Sequence, residues 1–105
     1  MNYQIIWSDF SHKQLDAIFD YYSKKVNKKT ATKIIKKILS EVTVLRQTPF
    51  AGQIENTLTD RKISYRYLVC TNYKIIYSII EDAQVIKIAD VFDTRQNPTK
   101  IEREK

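Results

Sequence analysis

The sequence holds few of the residues that break or staple a chain. One glycine (Gly52) and two prolines (Pro49, Pro98) stand among 105 residues, which excludes collagenous, linker-rich and loop-dominated architectures and points to regular elements joined by short turns. One cysteine (Cys70) allows no internal disulfide and no cysteine-based zinc site, and one histidine (His12) is too few for a histidine metal site. No metal and no cofactor are expected. No run approaches the ~18 uninterrupted apolar residues of a membrane span, and residues 1–10 show no basic patch followed by an apolar stretch. A cytoplasmic protein without membrane attachment is expected. Acid is scarce in one segment: residues 24–46 hold eight basic residues against one acid, Glu41, and so carry the whole excess of a chain whose net charge is +6. Such a cluster suits a polyanion or an acidic partner, and equally suits a solvated helix face.

What is present is enough for a core. Apolar residues make up 43% and charged residues 29%, so residues 1–105 are expected to fold as a single domain. Tyr3, Ile5 and Trp7 alternate with Gln4 and Ile6 and predict a first strand, ended by the helix-capping types Ser8 and Asp9. Leu15, Ile18, Phe19, Tyr22 and Val26 then recur at helical spacing and predict an amphipathic helix over 11–26. A second apolar stripe, from Ala31 through Ile34, Ile38 and Val42 to Leu45, predicts a second helix after candidate caps at 27–30, closed by Pro49 and Gly52. Its other side carries Lys29, Lys33, Lys36 and Lys37, candidates for binding a partner or a nucleic acid. Residues 51–60 show no period and read as a polar connection. From Ile63 the period becomes two, predicting a strand over 63–70, a hairpin turn at Thr71-Asn72, a strand over 73–80, a turn at 81–83 and a strand over 84–92.

The expected architecture is α+β in the order β-α-α-β-β-β, with a mostly antiparallel four-stranded sheet and the two helices packed on one face. Depending on register, the opposite face carries a combination of Tyr65, Arg66, Tyr67, Tyr73, Lys74 and Tyr77. Tyrosines in strands pack a sheet more often than they stack bases. His12 reads as a surface residue and Cys70 as a small apolar one.

Several segments together resemble the RelE/ParE superfamily of bacterial type II toxin–antitoxin toxins. They are Ile5-Ile6-Trp7-Ser8, Ile18-Phe19-Asp20-Tyr21-Tyr22, residues 45–52, Tyr65-Arg66-Tyr67-Leu68, Tyr73-Lys74-Ile75-Ile76-Tyr77, and the ending Val91-Phe92-Asp93-Thr94-Arg95-Gln96-Asn97-Pro98. The resemblance implies a toxin of the plasmid-stabilisation type, held inactive in a hetero-oligomer by a cognate antitoxin. It also implies one of two targets: DNA gyrase, bound by ParE-like members, or the ribosome, on which RelE-like members cut mRNA.

A metal-independent ribonuclease needs a proton acceptor, a proton donor and cations to steady the phosphorane. By analogy with the ribonuclease branch, Lys74 occupies the place of a phosphate-contacting arginine, Arg95 that of a basic residue after the last strand, and Arg66 is a third cation. The branch's C-terminal Tyr or His is missing: neither type occurs after Tyr77, and Ile101 and Glu102 stand in that region. A lysine with a lowered pKa or a carboxylate such as Asp90 can move protons in its place when the environment is right. The missing acid/base turns the expectation to the gyrase-binding branch, with the endonuclease as the alternative.

Overall fold

The computed structural model describes residues 2–55 and 64–94. Strand β1 (Gln4–Trp7) leads through Ser8 into helix α1 (Asp9–Lys25), followed by α2 (Lys28–Val44), β2 (Gln53–Ile54), β3 (Tyr65–Cys70), β4 (Tyr73–Ile80) and β5 (Val85–Asp93). Helix α1 starts two residues earlier than the apolar period indicates, because Ser8 itself is the cap: its backbone is extended and its Oγ accepts the Ser11 N–H at 3.1 Å. Asn27 caps α2 in the same way, accepting the Thr30 N–H at 2.8 Å. Helix α2 ends at Val44, ahead of Pro49, by tightening its last turn: Leu45 N–H donates to Val42 O at 3.0 Å and Arg46 N–H to Thr43 O at 3.1 Å.

The sheet has five strands in the order β1-β5-β4-β3-β2, where four were expected. The extra strand is β2, whose Gln53 and Ile54 pair antiparallel with Tyr67 and Arg66. Two residues are too short for any alternation to show in sequence. Strand β1 runs parallel to β5, with Ile5 opposite Ile86 and Trp7 opposite Ile88, a return that needs the two-helix crossover between them. The β3–β4 hairpin turns at Thr71-Asn72, with Thr71 at φ 54°. Of the expected strand over 63–70, Ile63 lies outside the described residues.

Both helices cover one sheet face. Leu15, Ile38, Val42 and Leu45 pack there against Ile75, Tyr77, Ile86, Ile88 and Val91. On the other face Ile76, Ala89 and Phe92 form a second cluster against Tyr65 and Tyr67. Burial of Ala89 on that face follows from a bulge: Ile76 pairs with Asp90 and Tyr77 with Ile88, leaving Ala89 as the extra residue. The Ser8–Ser11 turn grips the same place, with Ser8 N–H donating to Ile88 O at 3.0 Å and the Ser11 hydroxyl 3.0 Å from that oxygen. The register decides the tyrosines. Tyr73 and Tyr77 point into the helix-side core, while Tyr65 and Tyr67 take the opposite face.

Candidate functional site

Two of the cations singled out in the sequence, Arg66 and Lys74, reach the segment 49–55 from opposite sides where it crosses the edge of the sheet. Arg66 stands opposite Tyr77, and directly paired residues project to the same side, so Arg66 lies on the helix side. Tyr77 is fully buried, and its hydroxyl donates to Pro49 O at 2.8 Å and accepts the Gly52 N–H at 2.9 Å. Arg66 completes the grip, its Nη1 donating to Gly52 O at 2.8 Å while its guanidinium stands 5.1 Å from the centre of the Phe50 ring. Only glycine fits at 52: a Cβ there would lie 2.5 Å from the Tyr77 hydroxyl and 2.6 Å from Tyr67 O. Burial pushes the Tyr77 phenol above its ordinary pKa, against the Gly52 hydrogen bond and the Arg66 charge, which pull it down.

Lys74 works on the other face. Its Nζ is 3.0 Å from Glu55 Oε1 and 4.3 Å from the centre of the Tyr67 ring. Glu55 is only 3% exposed, so this cation offsets part of the cost of burying its carboxylate. Tyr67 in turn donates its hydroxyl to Gln53 Oε1 at 3.0 Å, and Glu55 N–H donates to Tyr65 O at 2.9 Å. Lys74 and its partners therefore hold β2 to the sheet from one side, and Arg66 and Tyr77 hold the approach to β2 from the other.

The structure thus separates Arg66 from Lys74 by a sheet face, and Arg95 lies outside the described residues. Both described cations of the expected phosphate clamp are engaged internally. Asp90, the substitute acid, is fully buried opposite Ile76. Lys29, Lys33, Lys36 and Lys37 are all exposed on α2, far in sequence from this edge. His12 lies on the surface, its Nδ1 3.5 Å from Asp16 Oδ2. Cys70 is buried, and burial first, then the Glu41 charge, raise its thiol pKa against the pull of Lys37. Sequence reasoning missed Glu55, which sits in a stretch without period. The one usable signal was the chain's single glycine three residues before it. Among the described residues no group of His, Cys, Asp and Glu is placed to hold a metal ion.

A family model described as the ParE toxin of type II toxin–antitoxin systems, parDE, matches residues 5–98. Among curated proteins, no sequence matches. Solved structures share the fold. The chromosomal ParDE toxin–antitoxin system from P. aeruginosa superimposes with a TM-score of 0.71 at 19% identity, covering 87% of this chain and 95% of that one. The archaeal RelE–RelB complex from Pyrococcus horikoshii gives 0.60 at 15% identity, over 92% of this chain and 100% of that one. The YoeB/ParE toxin from Agrobacterium tumefaciens gives 0.56 at 13% identity, over 86% and 96%.

Proposed function

The chain belongs to the ParE toxin family of type II toxin–antitoxin systems, and on that premise we propose that it arrests growth in the cytoplasm by binding DNA gyrase rather than by cutting RNA. The observation that carries this reading is the engagement of Arg66 and Lys74. A phosphorane is steadied by cations that are free to converge on one phosphate, whereas these two hold a backbone carbonyl and a buried carboxylate on opposite faces of the sheet. Releasing Lys74 to a phosphate would forfeit its contact with the Glu55 carboxylate, 3% exposed and 3.0 Å away. The missing C-terminal Tyr or His points the same way. Binding a protein target asks nothing of either residue beyond the shape of the edge they maintain.

A cognate antitoxin holds the toxin inactive in a hetero-oligomer. The archaeal RelE relative, solved in complex with RelB, supports that assembly. Among the described residues no helix is long and apolar enough to cross a membrane, in keeping with action on a cytoplasmic target. No cofactor enters the scheme.

The test uses the purified chain in two assays: supercoiling of relaxed plasmid by gyrase, and cleavage of mRNA on programmed ribosomes. The expected result is inhibition of supercoiling with mRNA left whole. Ribosome-dependent cleavage with gyrase unaffected would overturn the reading and return Arg66, Lys74 and Arg95 to the role of phosphate clamps.

A further inference from the structure

Lys29, Lys33, Lys36 and Lys37 follow one another at steps of four, three and one, which places them together on one side of α2. The buried residues of that helix, Ala31, Ile38 and Val42, occupy the other side. The lysines therefore face away from the core, all exposed, and none of them forms an ion pair among the described residues. Four ammonium groups along about 12 Å of helix repel one another. Packing of α2 gains nothing from that arrangement, since the apolar side alone makes the core.

We propose that this face docks the phosphate backbone of duplex DNA, without regard to sequence. Over about 12 Å of its axis a duplex presents roughly seven phosphate charges, so four point cations meet a matching density of anions. What surrounds the lysines narrows the partner. The same side offers Ser40 and Val44 and no arginine, asparagine, glutamine or aromatic residue, with Glu41 one turn beyond Lys37, so it lacks the guanidinium and amide forks and the rings that most often read or stack on bases. Single-stranded RNA recognition depends on such stacking. Protein interfaces are depleted in lysine at their centres and anchored by aromatic and arginine side chains, which this face lacks. A membrane surface would have to be held by charge alone, because the apolar side of α2 is packed into the core and is not free to insert. The inference stands apart from the target proposed above, because its test contains DNA alone and no gyrase.

The experiment is fluorescence anisotropy of a labelled mixed-sequence duplex of ~20 base pairs, titrated with the purified chain between ~50 and ~200 mM salt. If the four lysines each neutralise a phosphate, affinity falls about 150-fold over that range, from a log–log slope of roughly −3.6. K33Q/K36Q should halve that slope, while the charge-matched pair K13Q/K87Q, exposed elsewhere, should leave it unchanged. Thermal melts of both variants should match the parent, as none of the four residues is buried. Several results would overturn the proposal: no binding of duplex by the parent chain, equal losses in the two variants, or tighter binding of RNA than of duplex DNA at equal salt. Displacement of the duplex by polyglutamate at equal charge would do the same, by moving the assignment to acidic protein.

Discussion

Lys74 decides between a structural and a chemical reading of the sheet edge, and a double-mutant cycle with Glu55 measures it. Lys74→Met keeps the length of the side chain and its contact with Tyr67 but leaves the Glu55 carboxylate, 3% exposed, without the ammonium 3.0 Å away. Breaking a buried pair by removing one partner costs about 3–5 kcal/mol. The side chain of Lys74 retains 24% exposure, so water reaches the pair and the cost falls at the low end, about 3 kcal/mol. For a domain of this size that lowers Tm by roughly 12–24 °C. Glu55→Gln removes the carboxylate charge that Lys74 faces, so the double variant should recover about half of the loss. Urea unfolding of the four proteins gives the coupling energy. If Lys74→Met costs less than about 0.5 kcal/mol, the range of an ordinary surface change, or if the two losses simply add, the ammonium is not needed by Glu55 and is available for other chemistry.

Three further outcomes follow from the same geometry. Tyr77→Phe should cost about 2–3 kcal/mol, since it removes two hydrogen bonds and leaves the buried Gly52 N–H without its acceptor; Gly52→Ala should cost at least as much, and a loss below about 1 kcal/mol in urea unfolding for either would refute the close approach at this edge. The folded chain holds the Tyr73 proton more tightly than the unfolded one, chiefly through burial and then the Tyr22 hydroxyl. Its contribution is therefore complete below the ordinary tyrosine value of about 10 and is lost as pH rises past it; Tyr73→Phe should flatten the fall in urea midpoint between pH ~9 and ~11, and an unchanged fall would count against the assignment. Thr71 is β-branched at φ 54°, so Thr71→Gly should raise stability by roughly 1 kcal/mol, and a lower thermal midpoint in that variant would show that the threonine hydroxyl, 2.6 Å from Cys70 O, outweighs the strain.

Most of the fold was legible because its signals are long. Helices of 17 residues each and strands of six to nine residues carry their period through several repeats, and the caps Ser8 and Asn27 stand where chemistry requires them. Strand β2 was not legible. Its two residues are fixed by Glu55, Lys74 and Tyr67, three side chains that come together only once the sheet exists. The facing of Arg66 was hidden for a related reason. Alternation shows that Arg66 and Tyr67 point apart, but which of them joins the helices is set by Leu68 and Cys70, whose apolar side chains fill the core on Arg66's side.

That parity carries a consequence for chemistry on this scaffold. A one-residue slip of β3 would bring Arg66 to the face of Lys74, but it would also expel Leu68 and Cys70 from the helix-side core and put Tyr65 and Tyr67 in their place. The register is held chiefly by apolar burial, which Arg66 reinforces through its contacts with Gly52 O and Phe50. Solved structures share the fold at 13% to 19% identity. Here the segment 49–55 offers a backbone carbonyl to one cation and a buried carboxylate to the other, and both accept. A ribonuclease built on the same positions would have to withdraw those two acceptors, by losing Glu55 or by moving Gly52 away from Arg66. In this chain both acceptors are present at the edge, and among the described residues the lysine side of α2 is where four cations face outward together.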